Sequence, residues 1–166
     1  KPRGYVSTMS DEMGRKCVAE LVKDIPASLS RGRLDRDSEG LLLMTNDGEF
    51  ANLIMHPSKH VPKTYRVTVR PDISEEQLAL MNVGMEIDGV RTAPADAGSS
   101  AGSRQSGLEI ILREGRNRQI RKMCEQLGVE VARLKRVAVG QVKLGMLQPG
   151  KWRNLTLDES KGWPQP

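Results

Sequence analysis

Ser30-Arg31-Gly32-Arg33-Leu34-Asp35-Arg36-Asp37-Ser38-Glu39-Gly40-Leu41-Leu42-Leu43-Met44-Thr45-Asn46-Asp47-Gly48 is the stretch on which the reading of the whole chain turns. Its first half is a polar, glycine-marked turn that carries arginines and aspartates. Its second half opens on Leu41-Leu42-Leu43-Met44, the most apolar run in the chain, and closes on Asn46-Asp47-Gly48, a strong turn signal. A short apolar run between turns predicts a buried strand. A polar loop anchored to such a strand can hold a reactive group rigidly. Asp35 sits in that loop between Arg33 and Arg36, and cationic neighbours favour the charged form of a carboxylate.

The pattern on either side adds elements. Residues 5–8 predict a first strand and residues 18–22 a short helix that ends before Pro26. Phe50, Leu53 and Ile54 recur at helical spacing over residues 49–56, and Pro57 stops that helix. Residues 63–69 alternate and are rich in β-branched side chains, which predicts a strand. Ser74-x-x-Gln77 ahead of Leu78 and Met81 is a capping box, and Gly84 closes the helix it starts. Two short strands follow at 85–87 and 90–94, then a Gly/Ser-rich mobile loop at 97–107 and a strand at 108–113. Gly115-Arg116-Asn117 turns into a helix with Ile120, Cys124 and Leu127 on one face, stopped at Gly128. Residues 129–139 predict a strand, residues 152–157 a last strand, and residues 162–166 a loose tail. Strands outnumber helices and do not follow βαβ order. This predicts an α+β fold with a mixed, mostly antiparallel central sheet and flanking helices.

Composition bounds the function. The 166 residues fit one domain spanning 1–166, large enough for a real core, with aliphatic and Met side chains filling it because aromatics are 3%. Net charge is +5 and the pI about 9.4. Between Arg113 and Arg136 eight basic residues (Arg113, Arg116, Arg118, Arg121, Lys122, Arg133, Lys135 and Arg136) face three acidic ones, a local excess equal to the charge of the whole chain. A local basic patch is the footprint of phosphate contact, whereas a solvated helix face is the plain alternative. Two cysteines, Cys17 and Cys124, are too few for a disulfide framework, so a reducing cytoplasm is expected. No apolar run approaches the ~20 residues of a membrane span, and no membrane association is expected.

Other chemistries find little support. His56, His60 and the two cysteines do not build a metal cluster at these spacings, so no metal site is expected. There is no phosphate-loop or dinucleotide fingerprint, and Ser38-Glu39-Gly40 is not a nucleophile elbow. Asp35 and Asp37 leave open a glycosidase-like carboxylate pair.

Gly32-Arg33-Leu34-Asp35, with Ser38-Glu39-Gly40-Leu41-Leu42-Leu43 and Thr45-Asn46-Asp47-Gly48, resembles the signature of the RsuA/RluB-type ribosomal RNA pseudouridine synthases. Lys1-Pro2-Arg3-Gly4, Lys63-Thr64-Tyr65 and Gly115-Arg116-Asn117-Arg118-Gln119-Ile120-Arg121 are similar to further motifs of that family, in the same order. The resemblance implies two subdomains around a catalytic cleft, with Asp35 the catalytic carboxylate, Tyr65 stacking on the target base and Arg121 pairing with the aspartate. Leu134 falls where the family supports that tyrosine with an apolar side chain, and Arg33 would hold the space that the extruded base vacates. Arg116 and Arg118 are expected to contact RNA. The implied activity is that of an isomerase converting a specific uridine of ribosomal RNA to pseudouridine. Arg-Asn-Arg-Gln and Gly-Glu-Phe-Ala-Asn are most similar to the branch that modifies the large-subunit (23S) RNA. No cofactor is implied, and a monomer is expected. The family's small N-terminal RNA-binding domain would precede Lys1, and the chain is expected to be the catalytic domain without it. The alternative is a catalytically inactive RNA-binding module of the same fold.

Overall fold

Hydrophobic alternation and local capping account for most of the elements in the computed structural model. It describes residues 1–9, 12–24, 30–31, 33–56, 60–100, 106–161 and 163. In chain order these form a 3₁₀ turn (Val18–Leu21), β1 (Ser30–Arg31), β2 (Glu39–Gly40), β3 (Met44–Thr45), α1 (Gly48–Met55), β4 (Lys63–Arg70), α2 (Glu75–Val83), β5 (Glu86–Ile87), β6 (Val90–Arg91), β7 (Asp96–Ser99), β8 (Gly107–Leu112), α3 (Gln119–Gln126), β9 (Glu130–Val139), β10 (Val142–Lys143) and α4 (Leu157–Lys161). The chain forms two compact units. The first comprises Lys1–Val61 with Arg136–Pro166, the second Pro62–Lys135. The result is the expected α+β fold with a mixed, mostly antiparallel sheet.

The second unit follows its pattern closely. In β4, Val67 and Val69 point inward while Arg66, Thr68 and Arg70 face solvent. Antiparallel β8 buries Leu108, Ile110 and Leu112 beside it, and Tyr65 stands opposite Ile110. The strand order here is β9-β4-β8-β7. α2 starts on the predicted capping box: Ser74 Oγ accepts from the Gln77 amide at 3.1 Å, and Gln77 Oε1 accepts from the Ser74 amide at 2.8 Å. Leu78 and Met81 from α2 join Ile120, Met123 and Cys124 from α3 in one core with the strands.

The 97–107 stretch departs from expectation. Asp96–Ser99 is strand β7, antiparallel to β8. Its composition suggests a loop, but its edge is occupied: Asn82 donates to the Ala97 carbonyl at 3.1 Å and accepts from the Ala97 amide at 2.6 Å. A side-chain amide thus supplies the missing strand neighbour. Residues 101–105 lie outside those described.

The first unit has less regular structure. α1 begins at Asp47, whose carboxylate accepts from the Glu49 and Phe50 amides at 3.0 and 3.2 Å, so the predicted turn is a helix N-cap. Pro26 and Pro57 lie outside the described residues. Leu41 and Leu43 are buried with Ile54, Val61, Val139, Val142 and Trp163. The predicted strand over 41–44 is not continuous, however: pairing is confined to Glu39–Gly40 and Met44–Thr45. Burial, rather than a sheet ladder, keeps this apolar run inside. The strand expected over 5–8 reduces to a single parallel bridge, Val6 opposite Cys17.

The C-terminal expectations are also corrected. Residues 152–156 form no strand, and α4 follows them. Thr156 caps it: its Oγ1 accepts from the Glu159 amide at 3.2 Å, and Glu159 Oε1 accepts from the Thr156 amide at 2.8 Å. The expected loose tail contains a buried anchor, Trp163, 5% exposed and edge-on to Phe50 at 5.8 Å between ring centroids. Gly140 makes room for it, since a Cβ there would lie 2.9 Å from the indole. Gly162 and residues 164–166 are outside the described residues.

Candidate active site

In the first unit the Asp35 turn is built from its own backbone and from side chains that grip it. The Ser38 amide donates to the Asp35 carbonyl at 3.0 Å, closing a four-residue turn. Asp35 is half-buried, Arg33 and Arg36 are exposed, and Leu34 and Ser38 are buried. The inward Leu34 fixes the chain on one side of Asp35, and the inward Ser38 fixes it on the other.

The N-terminal segment backs this turn. The Gly4 amide donates to the Arg36 carbonyl at 2.7 Å, and Lys1 Nζ donates to the carbonyls of Ser38 at 2.5 Å and Pro2 at 3.1 Å. Burial pushes the Lys1 ammonium down to about 8, against the pull of Asp35, Asp37 and Glu39. The Lys-Pro-x-Gly motif therefore has a physical role here, supplying a cation and an amide to the carbonyls of the Asp35 turn.

Gly40 closes the turn where two backbones nearly touch. Its φ is +116°, and a Cβ would lie 2.1 Å from the Arg136 carbonyl oxygen, so only glycine fits. The Leu41 amide donates to that same carbonyl at 2.8 Å. The Arg136 guanidinium donates back, through Nε to the Leu41 carbonyl at 2.9 Å and through a terminal nitrogen to the Arg33 carbonyl at 3.4 Å.

Tyr65, Leu134, Arg116, Arg118 and Arg121 lie in the second unit. Tyr65 is half-buried on β4 and packs against the core that contains Leu134, 6% exposed, and Ile120. Arg121 is half-buried one residue beyond the buried Ile120, on the border of the apolar face as expected. It faces Cys124 one turn on, whose thiol burial pushes up to about 11 against the pull of that guanidinium.

The turn before α3 is organised by buried Gln119, which donates to Glu114 at 2.8 Å, while the same carboxylate oxygen accepts from the Ala93 amide. Arg118, the N-cap, adopts a left-handed backbone with φ +52° and is exposed. Such a conformation costs of order 1–3 kcal/mol for a residue other than glycine, and it aims a side chain where a regular helix would not.

The basic residues of this segment differ in their settings. Arg116 donates to the carbonyls of Ile87 at 2.9 Å and Val90 at 3.3 Å, bracing the β5–β6 hairpin. Lys122 pairs with Asp88 at 2.7 Å, and Arg113 with Asp96 at 3.0 Å. Arg136 is buried. Arg118 and Arg133 are exposed. The count of basic residues alone thus overstates the charge offered to a ligand. The signals missed were hairpin carbonyls and acidic partners far away in sequence. Among the described residues no group of three or more His, Cys, Asp or Glu is arranged to hold a metal ion.

Comparison with known proteins gives a consistent result. Residues 1–126 match the RNA pseudouridylate synthase family. The chain is 42% identical over 165 residues to ribosomal large subunit pseudouridine synthase B of Bacillus subtilis (strain 168), covering 97% of this chain and 68% of that one. It is 41% identical over 168 residues to an RNA pseudouridine synthase of Aquifex aeolicus (strain VF5), covering 96% of this chain and 65% of the relative. A crystal structure of a pseudouridylate synthase superposes with a TM-score of 0.88 at 32% identity, over 96% of this chain and 69% of that one. The chain thus spans about two thirds of the length of these relatives.

Proposed function

Because the chain belongs to the RNA pseudouridylate synthase family, we propose that it isomerises a uridine of large-subunit ribosomal RNA to pseudouridine, with Asp35 as the catalytic carboxylate. The observation that supports this best is the Asp35 turn: the carboxylate-bearing residue is half-buried and its flanking backbone is hydrogen-bonded on both sides. The large-subunit assignment follows the Bacillus subtilis relative.

The reaction breaks the bond between the sugar and uracil N1, turns the base and joins the sugar to C5. The proton lost from C5 is balanced by one gained at N1, so no atom enters or leaves. An anion at Asp35 acts on the sugar or on the uracil ring. The target base leaves its stack before it reacts, and an extruded base needs a flat surface to rest on. We assign that role to Tyr65, braced by the core containing Leu134. Arg33 fills the place the base leaves, and Arg121 is the cation that the family motif pairs with the catalytic carboxylate. Arg118 contacts RNA phosphate, with Arg116 holding the hairpin beside it.

We place the reaction in the cytoplasm, carried out by a monomer. Among the described residues no helix is long and apolar enough to cross a membrane.

Mapping pseudouridines in ribosomal RNA from cells with and without the protein, and with Asp35→Asn, tests the proposal. One large-subunit position is expected to lose its pseudouridine in the absence of the protein and to stay unmodified with Asp35→Asn. Purified Asp35→Asn should bind RNA within a few-fold of the parent, since phosphate contact depends on cations. Measurable turnover by that variant rules out Asp35. An unchanged ribosomal map favours the inactive RNA-binding module.

A further inference from the structure

Two buried side chains of the first unit grip the backbone on either side of Asp35. Ser7 is 7% exposed. Its hydroxyl donates to the Leu34 carbonyl at 2.8 Å and accepts from the Leu34 amide at 3.1 Å. One hydroxyl thus satisfies both polar groups of the residue before Asp35, as a neighbouring strand would. Arg136 is 5% exposed and reaches the same segment with its guanidinium. It bonds the Arg33 carbonyl before Asp35 and the Leu41 carbonyl after the turn.

A guanidinium is costly to bury unless its donors find acceptors. Here two carbonyls of the turn accept from it, and Gly40 gives its backbone close approach. The position of Arg136 in Arg133-Leu134-Lys135-Arg136 groups it with phosphate-binding cations, but its burial and its bonds assign it to the turn.

We infer that Ser7 and Arg136 are positioning residues for the isomerisation, fixing the peptide groups that carry Asp35, and that Arg136 makes no phosphate contact. The inference rests on the reading of Asp35 as the catalytic carboxylate. A reacting group displaced by about 1 Å can lose 10²-fold in rate without any change in substrate affinity.

The test compares Ser7→Ala, Arg136→Lys and Arg136→Met with the parent and with Asp35→Asn, on an unmodified large-subunit ribosomal RNA transcript. Steady-state kinetics give kcat and KM, and RNA affinity is measured against salt. Circular dichroism fixes the folded fraction used to normalise kcat. Ser7→Ala and Arg136→Met are expected to lose roughly 10- to 10²-fold in kcat, with KM and the salt slope unchanged. Arg136→Lys should recover part of that loss, since one donor is restored.

Turnover by Ser7→Ala and Arg136→Met within twofold of the parent, with Asp35→Asn inactive, overturns the inference and leaves the catalytic assignment standing. Turnover by Asp35→Asn removes the assignment itself. A log–log salt slope shallower by about 0.7–0.9 for Arg136→Met identifies a phosphate contact and overturns the inference for that residue. Should Arg136→Met not fold, Ser7→Ala decides by the same division between kcat and KM.

Discussion

Gly40 shows what a single residue contributes to the site. Its φ of +116° disfavours any side chain, and the Arg136 carbonyl oxygen occupies the place a Cβ would take. Gly40→Ala therefore combines backbone strain with overpacking, about 2–6 kcal/mol together. In a chain of this length that lowers Tm by very roughly 5–15 °C. A thermal melt checks it, and an unchanged Tm shows that the two backbones can separate freely. At this scale the sequence was informative about which residues matter and uninformative about why. Asp35 stood out as an acid among arginines. Ser7 had no signal, because a serine in an alternating segment looks like any surface hydroxyl. Arg136 was counted with the basic segment, since its local context is basic, while its acceptors, Leu41 and Arg33, lie some hundred positions away. Hydrogen bonds of that separation leave no local trace.

Elements were legible where the signal is local. The Ser74–Gln77 capping box, the alternation of β4 and β8 and the apolar face of α3 all appear where the pattern puts them. β7 was missed because its pairing comes from β8 and from the Asn82 side chain rather than from its own Gly/Ser composition. α4 was missed although Thr156-Leu157-Asp158-Glu159 carries the capping-box spacing. Its five residues are too few for a periodic pattern. Arg153 donates to both Glu159 oxygens, at 2.7 and 2.8 Å, and with the Thr156 amide this holds the carboxyl down at about 2. The folded-state value lies below the ordinary 4.5, so its contribution is present above pH 4.5 and is lost as pH falls through about 2. An NMR titration of the Glu159 side chain should show a midpoint near 2, and a midpoint near 4.5 means that the ion pair does not form in solution. The turn before α3 gives a sharper division. Arg116→Ala should lower stability by about 1–3 kcal/mol, because it leaves the hairpin carbonyls of Ile87 and Val90 without their charged donor. Arg118 is exposed at the helix N-cap, and Arg118→Ala should instead reduce the log–log salt slope of RNA binding by about 0.7–0.9. Denaturant melts and salt-dependent binding on both variants separate the roles, and equal slopes for Arg118→Ala and parent exclude it from the phosphate surface.

At the scale of the whole molecule the chain has two cores, and the two differ in kind. The second unit buries sixteen residues in one cluster fed by α2, α3 and the long strands β4, β8 and β9. The first unit is discontinuous in sequence, buries seven residues around Trp163, and relies on short strands and side-chain clamps. Regions with smaller cores and less regular hydrogen bonding open at lower free energy than the remainder. Each unit carries one buried cysteine, Cys17 in the first and Cys124 in the second, so the chain has its own reporters. Cys124 is fully buried and its thiol is held up at about 11, which keeps it in the unreactive protonated form while the fold is intact. Brief thiol labelling across a urea series should therefore modify Cys17 first and Cys124 at a higher concentration, with two separate midpoints read by peptide mass spectrometry. The order follows from the first unit's smaller cluster and shorter strands: among the described residues it buries twelve apolar side chains, against sixteen in the second unit. Coincident midpoints would instead make the chain a single cooperative unit, in which a variant such as Gly40→Ala would destabilise the setting of Tyr65 and Arg121 as much as that of Asp35.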